Sequence, residues 1–300
     1  MSDLEAALAR VPIFAGANTV TARLAGLTNV NHLVELGEEG FVLRIPGAGT
    51  GEYINRAEEE VAARSAAAAD VNAEVVFFDP TDGLMVTRFI DGAVTMSGES
   101  FGDLAAVGRA ARVLRQLHTT AAPFAADFTL FAMIDEYKAL LAAKGARLPG
   151  GYGDVQRQAE IVRAALEAAP VPLVPCHCDP LCENFLDTGD RMYLIDYEYA
   201  GNNDPMWDLG DFSVEAMFTA EQDDVLLRTY FDGDPPPDQV GRMIAYKALC
   251  DLLWTLWGVI QVVNENPVDD FWAYATNRFE RCKALMATPG FDAHIAAIAG

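Results

Sequence analysis

The most informative segment of this 300-residue sequence is His177-Cys178-Asp179-Pro180-Leu181-Cys182-Glu183-Asn184, which follows the pattern H-x-D-x-x-x-x-N. An apolar run ends in Asp196, twelve residues after Asn184. A loop of this length can place the Asp179 carboxylate at an acceptor hydroxyl and the Asn184 amide at a metal ion. Phosphoryl transfer needs both groups, because the hydroxyl is oriented and deprotonated while Mg²⁺ is held on the β- and γ-phosphates. The spacing therefore predicts phosphoryl transfer from ATP, with Asp179, Asn184 and Asp196 as catalytic residues.

The ligands in this region suit magnesium better than zinc. Asn184 and Asp196 offer one oxygen ligand each, and Mg²⁺ takes few protein ligands because it keeps water and phosphate oxygens. Three cysteines, Cys176, Cys178 and Cys182, lie close to them in the sequence. No second ligand pair at zinc spacing accompanies these cysteines, so we interpret them as buried packing groups.

The residues before this loop have the pattern of a small sheet, and the residues around it have the pattern of helices. Short β-rich runs between turn residues predict strands at 19–24, 30–36, 41–45, 74–78 and 83–89, with one helix at 55–69. Apolar residues at helical spacing then predict helices near 101–118, 131–144, 152–169, 204–217, 221–231, 238–264 and 268–287. Two short strands, at 185–187 and 192–196, are predicted between them. We therefore predict an α+β fold of two lobes: a nucleotide-binding lobe at 1–91, with a small antiparallel sheet and one helix, and a larger, mainly helical catalytic and acceptor-binding lobe at 92–300.

Net charge, apolar runs and cysteine content bear on the ligand, on membrane insertion and on the cellular compartment. With 21 basic and 44 acidic residues the formal net charge is −23, which disfavours nucleic acid. The charge either attracts a small cationic substrate or serves only solubility, and the two interpretations are equally compatible with the sequence. The longest apolar run, near 250–263, is interrupted by Asp251 and Gln261 and is too short to span a bilayer, so no membrane insertion is expected. Five cysteines with no secretory segment before them indicate a reduced cytoplasmic protein. A homodimer is compatible with the sequence.

A family resemblance begins directly after Met192 and Tyr193. The segment is Leu194-Ile195-Asp196-Tyr197-Glu198-Tyr199-Ala200-Gly201-Asn202-Asn203-Asp204-Pro205, followed by Trp207-Asp208-Leu209-Gly210. It resembles the signature of the choline/ethanolamine kinase family. That family belongs to the aminoglycoside-phosphotransferase-like group, which has a protein-kinase-like fold. The resemblance extends from about residue 26 to 274 and is most specific at 177–210. It implies ATP and Mg²⁺ as cofactors, Asp179 as base, Asn184 and Asp196 as metal ligands, and Asp208 as a brace of the catalytic loop.

The resemblance also implies where the nucleotide binds. Gly26-Leu27-Thr28-Asn29-Val30-Asn31 is similar to the family's nucleotide-covering turn, and Asn29 and Asn31 are its candidate ligands. A turn between strands can direct N–H groups at phosphates, although a plain hairpin gives the same pattern. Phe89 and Ile90 resemble the hinge whose backbone holds adenine. The glycine-rich run 47–51 lacks the Lys-Ser/Thr of a Walker A motif and is interpreted as a loop.

Arg44 stands where kinases carry a cation for the α- and β-phosphates, and a guanidinium can bind phosphate in a bidentate manner. Its alternative interpretation is a surface arginine on an edge strand. The expected partner is a glutamate on the following helix. We predict Glu59, with Glu60 as the alternative because three consecutive glutamates blur the helical register.

The acceptor pocket is predicted from aromatic residues. Trp254 and Trp257 share one helix face, and the resemblance implies that they form a cation-binding cage with Tyr274, close to Glu215. Glu198 is expected to face the cleft near the metal or the acceptor. From spacing alone, an ordinary core stripe is the favoured interpretation of the two tryptophans, and the family resemblance reverses that preference. The segment after Glu215 has fewer aromatic residues than choline kinases often show, which weakens choline relative to ethanolamine.

These observations predict a kinase that phosphorylates the hydroxyl of an amino-alcohol, with choline or ethanolamine as the first expectation. One alternative is an aminoglycoside or other amino-alcohol phosphotransferase, since an acidic protein suits any cationic acceptor. Another is a pseudokinase that senses a cation without catalysis, against which the intact Asp179, Asn184 and Asp196 argue.

Overall fold

A five-stranded antiparallel sheet forms the first part of the computed structural model, which describes residues 2–25, 29–47 and 54–300. The strand order is β1-β2-β3-β5-β4. The strands are β1 (Val20–Arg23), β2 (Val30–Leu36), β3 (Glu39–Ile45), β4 (Val75–Asp79) and β5 (Leu84–Arg88). Each end lies within two residues of the predicted one, because alternating apolar residues and turn residues mark these strands together.

One face of the sheet is covered by α1 (Asp3–Arg10), a helix that the sequence does not predict. It begins with a capping box between Ser2 and Glu5. The chain after it turns so that Phe14 packs edge-on against Phe41 of β3, with ring centroids 5.5 Å apart. Eight residues hold little more than two helical turns, so the helical period of this segment is too short to recognise.

The helix α2 (Arg56–Ala68) follows β3 and begins at Asn55, whose side chain accepts hydrogen bonds from two N–H groups of the first turn. Small residues such as Ala62 and Ala66 are fully buried on its inner face. The same face carries Glu59, which is only 2% exposed. Burying a carboxylate is costly unless a cation pairs with it, so the position of α2 already requires a charged partner from the sheet.

Helices dominate the remainder of the chain. They are α3 (Leu104–Thr120), α4 (Leu130–Ala143), α5 (Tyr152–Ala168), α6 (Pro205–Glu215), α7 (Ala220–Phe231), α8 (Pro237–Val263), α9 (Phe271–Met286) and α10 (Phe291–Ile298). Short strands lie between them: β6 (Val94–Thr95), β7 (Val174–Cys176), β8 (Phe185–Asp187), β9 (Met192–Leu194) and β10 (Gly201–Asn203). The sequence does not predict β6, β7, β10 or α10, since two or three strand residues, or eight helical ones at the end of the chain, give no clear period.

The helix α8 is the centre of the helical part and contacts α6, α9 and α10. It is long and apolar enough to cross a membrane by length and composition, but 72% of its most apolar window is buried inside the fold. Its apolar character is therefore explained by its place in the core. The predicted end of this helix, near residue 264, agrees with the structure.

The sheet and the helical part meet at the hairpin formed by β8 and β9. The N–H of Leu194 in β9 donates to the carbonyl of Val71, just beyond α2, at 3.0 Å. The N–H of Met96 donates to the carbonyl of Phe185 in β8 at 2.9 Å. The first hydrogen bond ties the hairpin next to the predicted metal ligands to the sheet side of the molecule, and the second ties it to the segment that follows β6. The predicted domain boundary at residue 91 stays a prediction.

Candidate active site

The loop 177–184 lies between β7 and β8, and one buried carboxylate holds its backbone. Asp208 of α6 accepts hydrogen bonds from the N–H groups of His177 at 2.7 Å and of Cys178 at 2.8 Å. Asp208 is fully buried, and its Oδ2 also lies 3.0 Å from Nε2 of His118. Hydrogen bonds to a buried carboxylate are strong and directional. Asp208 therefore fixes the two residues that precede the predicted base.

The His177 ring packs beneath the loop. It is fully buried, its Nε2 lies 2.8 Å from the carbonyl of Ile195, and its edge meets the ring of Tyr197. Burial lowers the pKa of this imidazole, so a neutral ring with Nε2–H as the donor is favoured. His177 is therefore a packing residue of the loop.

Two residues of the site adopt backbone conformations that side chains disfavour. Cys178 has a φ of 66° and Asp196 a φ of 71°. A non-glycine residue in this region costs about 1–3 kcal/mol and persists only where its surroundings enforce it. One of these residues immediately precedes Asp179, and the other is the predicted metal ligand itself. The strain is thus located beside Asp179 and at Asp196, the two carboxylates that are predicted to be catalytic.

Asp179 and Asn184 are joined across the loop. Nδ2 of Asn184 donates to the main-chain carbonyl of Asp179 at 3.0 Å, and no hydrogen-bond donor in the described part of the chain reaches Oδ1 of Asn184. The amide oxygen is thereby available as a ligand. Burial raises the pKa of the Asp179 carboxyl to about 8, and the negative charges of Asp196, Glu215 and Glu198 raise it further in that order. A carboxyl with a pKa tuned toward neutrality is typical of a general base.

Asp196 lies directly after β9 and faces the sheet. Its side chain is 35% exposed, and one carboxylate oxygen lies 3.1 Å from Nη1 of Arg44. Partial burial and the nearby charges of Glu198 and Glu59 raise the pKa of this carboxyl, and Arg44 opposes that rise. Arg44 on β3 and Asp196 in the helical part thus meet across the cleft between the sheet and the helices.

Arg44 is buried, not at the surface, and its guanidinium pairs with Glu59 of α2. The neighbouring Glu60 instead pairs with Arg64 at 2.9 Å. The helical register therefore turns Glu59 toward the sheet and Glu60 away from it, which resolves the choice that the sequence leaves open. Whether Arg44 binds phosphates stays a prediction.

A second arginine, Arg56, completes this charged cluster. It is 5% exposed, and its Nη1 lies 2.7 Å from Glu59 and 2.8 Å from Glu198. Nη1 of Arg44 lies 3.5 Å from the same Glu198 oxygen. The structure thus places Glu198 among the cations of the nucleotide side. Its hydrogen bonds and ion pairs join it to Asn29, Arg44 and Arg56.

The nucleotide-covering turn is described only in part. Residues 26–28 of that turn, and 48–51 of the glycine-rich run, lie outside the described residues. Asn29 is buried: its Nδ2 donates to Glu198 at 3.1 Å and its Oδ1 accepts from the N–H of Gly47 at 3.2 Å. Asn31 donates from Nδ2 to the carbonyl of Ala25 at 3.1 Å. Asn29 therefore ties the turn to the charged cluster, whereas Asn31 braces the turn itself.

The predicted hinge, Phe89 and Ile90, directly follows β5. The N–H of Phe89 donates to the carbonyl of Gly40 at 3.0 Å and so continues the sheet. The carbonyl of Ile90 accepts a long hydrogen bond from Ala93, at 3.4 Å. The N–H of Phe89 is consequently used by the sheet, and adenine recognition by this residue would rely on its carbonyl.

The predicted aromatic residues of the acceptor side lie together. The ring centroids of Trp254 and Trp257 are 5.8 Å apart and those of Trp257 and Tyr274 are 5.8 Å apart, both edge to face. Tyr199, next to Glu198 in sequence, meets Trp254 edge-on at 6.4 Å. The four rings are half-buried and form a continuous series from the catalytic loop side to α9. We call Tyr199, Trp254, Trp257 and Tyr274 the aromatic series.

Glu215, the predicted anion of the cage, is already paired. Its carboxylate lies 2.5 Å from Nη2 of Arg278, and Nη1 of Arg278 lies 3.1 Å from Asp251. The Arg278 guanidinium also lies over the ring of Tyr274, 5.2 Å from its centroid. The acidic end of the pocket thus contains a cation of the protein itself.

Several residues of the site escape the sequence reasoning. They are Arg56, His118, Tyr199, Asp251 and Arg278. Arg278 is four residues after Tyr274 and therefore on the same helix face, and Arg56 is three residues before Glu59, so helical spacing could have indicated both. Tyr199 lies inside the quoted signature. His118 gives no such signal, because its partner Asp208 is distant in sequence.

The residues around Asp196 fit magnesium. Carboxylate oxygens of Glu59, Asp196 and Glu198 lie within 4.8 Å of one another. The N–H of Ile195, next to Asp196, donates to the main-chain carbonyl of Asn184 at 2.9 Å, so Asn184 lies beside this cluster. Carboxylate and amide oxygens are the donors that Mg²⁺ prefers. Asn184 and Asp196 would hold the ion, which would supply positive charge at the phosphates.

Comparisons with known proteins agree with this geometry. Residues 19–244 match the model of the family described as "Phosphotransferase enzyme family". The chain belongs to this phosphotransferase family. It is 30% identical to the protein LicA of Haemophilus influenzae over 266 residues, which cover 87% of this chain and 98% of that protein.

Solved structures point to the same group of phosphotransferases. A choline/ethanolamine kinase family protein from Mesorhizobium loti superposes with a TM-score of 0.91 at 54% identity, covering 99% of this chain and 98% of that one. The choline kinase LicA from Streptococcus pneumoniae superposes with a TM-score of 0.77 at 28% identity, covering 95% and 99%. The predicted kinase-like fold and family resemblance are confirmed. The phosphotransferase is an enzyme of the choline/ethanolamine kinase type that acts on alcohol hydroxyls.

Proposed function

We propose that this phosphotransferase moves the γ-phosphoryl group of ATP, with Mg²⁺, onto the hydroxyl of a small monocationic amino-alcohol, choline first. The aromatic series beside the catalytic loop carries this proposal. Aromatic faces attract a quaternary ammonium, which has no N–H groups to satisfy. The named relatives include a choline kinase, and solved relatives bind AMP and ADP, which supports a nucleotide in the same cleft.

The chain's own residues account for the chemistry. Asp179 would orient the acceptor hydroxyl and accept its proton as the oxygen attacks the γ-phosphorus. Arg44 and Arg56 would offset the phosphate charge from the sheet side, where they now pair with acidic residues. Asn184 and Asp196 would hold Mg²⁺. Most of the rate enhancement then comes from positioning and charge, as is general for phosphoryl transfer.

The aminoglycoside alternative receives less support. The aminoglycoside phosphotransferases among the solved relatives share 18% identity or less and show the fold alone. Polycationic acceptors need several free carboxylates, whereas Glu215 and Asp251 are paired with Arg278 here.

An acceptor screen tests the proposal. ADP formation and transfer of label from [γ-³²P]ATP would be measured with choline, ethanolamine, thiamine, other amino-alcohols and aminoglycosides, each with and without Mg²⁺. We expect Mg²⁺-dependent labelling of choline at the highest kcat/KM, with ethanolamine second. No labelling of any amino-alcohol would refute the proposal, and efficient labelling of aminoglycosides alone would replace the acceptor class.

A further inference from the structure

The Arg278 side chain lies at the acidic end of the acceptor pocket. It is 7% exposed and is held by a carboxylate from each of two other helices, Glu215 of α6 at 2.5 Å and Asp251 of α8 at 3.1 Å. Its guanidinium lies 5.2 Å from the ring centroid of Tyr274, one of the aromatic series. A tethered cation therefore occupies one face of a ring that is predicted to bind the acceptor's own cation.

The charges in this region nearly cancel. Nε of Arg281 lies 3.2 Å from Asp251, so two arginines face two carboxylates. The other ionisable groups around Arg278 are Asp211 of α6, Cys250 of α8, Tyr274 of α9 and Asp179 of the catalytic loop. With Arg278 present, Glu215 and Asp251 are both paired with a cation. Asp211 and Asp179 have no cationic partner among the described residues, but burial raises the pKa of both carboxyls, which favours their neutral forms.

We propose that Arg278 determines acceptor specificity by admitting one positive charge and rejecting a second. This inference rests on the proposed function. A single ammonium can bind against the aromatic faces, at a distance from the guanidinium. A second ammonium on the same molecule would reach the acidic end, where it meets the Arg278 charge and where the ionised carboxylates, Glu215 and Asp251, are already paired. Like charges in a partly buried pocket repel strongly, because little water screens them.

Two acceptors that differ by one charge test this. Ethanolamine has one amine, and N-(2-aminoethyl)ethanolamine has the same primary alcohol with a second amine. At a pH below both amine pKa values of the diamine, we expect the wild-type kcat/KM to favour ethanolamine by about tenfold or more. Arg278→Met releases Glu215 and Asp251 and should lower this ratio about tenfold or more.

Three further variants separate specificity from stability. Arg278→Lys keeps the positive charge, so its kcat/KM should still be higher for ethanolamine than for the diamine. Adding Glu215→Gln to Arg278→Met removes the carboxylate that has lost its arginine partner. The ratio of kcat/KM for ethanolamine to kcat/KM for the diamine should then move back toward the wild-type value. Arg242 is a buried arginine of α8 paired with Asp204 at 2.6 Å, away from the aromatic series. Arg242→Met should lower the melting temperature without changing the ratio.

The outcomes are distinct. If the wild type phosphorylates neither acceptor nor choline, the proposed function fails. If it phosphorylates ethanolamine but Arg278→Met leaves the ratio unchanged, or Arg242→Met shifts it equally, only the role of Arg278 is refuted. If Arg278→Met does not fold, a pH series on the wild type replaces it. Raising the pH through the lower pKa of the diamine removes its second charge, so the kcat/KM of the diamine should rise relative to the kcat/KM of choline. An unchanged ratio of these two values would refute the role of Arg278.

Discussion

Nη1 of Arg44 lies 3.1 Å from Oδ1 of Asp196, although one residue is on the sheet and the other follows β9 in the helical part. Each is predicted to hold a different component of the same nucleotide, Arg44 the phosphates and Asp196 the metal. Their direct contact marks the place where the triphosphate would have to enter. The charged cluster of Arg44, Arg56, Glu59 and Glu198 is thus arranged around one point of the cleft.

Replacing Arg44 should weaken nucleotide binding. Arg44→Met removes a cation and leaves the buried Glu59 without one of its partners, so the cluster would repel phosphates. We expect the KM for ATP to rise about tenfold or more, with a smaller change in the KM for the acceptor. Arg88→Met, at an exposed arginine of β5 paired with Glu39, is the control. An equal change in both variants would contradict the role of Arg44.

Removing the predicted base should affect turnover and not ATP binding. Asp179→Asn keeps the size of the side chain but cannot accept the hydroxyl proton. We expect kcat to fall about 100-fold or more, while the Kd for ATP from calorimetry stays within about threefold. Glu183→Gln changes a neighbouring exposed carboxylate and should retain wild-type kcat. Near-normal turnover by Asp179→Asn would exclude Asp179 as the base.

Asp208 should be essential for the shape of the catalytic loop. Asp208→Ala leaves the N–H groups of His177 and Cys178 buried without an acceptor, which costs about 1–3 kcal/mol each. Both the melting temperature and kcat should decrease, because Cys178 could no longer be held at its strained φ. Asp224→Ala, at a surface residue paired with Arg228, should change neither. Full activity in Asp208→Ala would show that the loop does not depend on this brace.

Asp211 should make the protein less stable as the pH rises. Burial, followed by the charges of Glu215 and Asp179, raises its pKa well above 3.8. The folded protein therefore keeps a proton that the unfolded chain releases above 3.8, and stability falls with increasing pH from there. Asp211→Asn removes this dependence and can still accept from Cys250.

Thermal unfolding at several pH values measures this effect. The melting temperature of Asp211→Asn minus that of the wild type should increase between about pH 5 and about pH 8. Asp234→Asn, at an exposed residue beyond α7, should show a constant difference over the same range. A constant difference for Asp211→Asn as well would mean that Asp211 is ionised in the folded protein.

Local patterns predict much of this molecule. The five sheet strands, α2 and most long helices follow from periodicity and turn residues, and the catalytic loop follows from the spacing of Asp179, Asn184 and Asp196. The helix α1 and the strands β6, β7 and β10 do not, because so few residues give no clear period. Long-range pairs are the other limit: Arg278 with Glu215, and His118 with Asp208, join residues whose proximity depends on helix packing.

The most direct measurement is a crystal structure of the protein with Mg²⁺, a non-hydrolysable ATP analogue and choline. We predict that the triphosphate binds between β3 and the loop 177–184 and that Asn184 and Asp196 bind Mg²⁺. The hydroxyl of choline should lie at Asp179, and the ammonium of choline should contact the aromatic series. A triphosphate bound elsewhere, or a metal ion held without Asp196, would contradict the account.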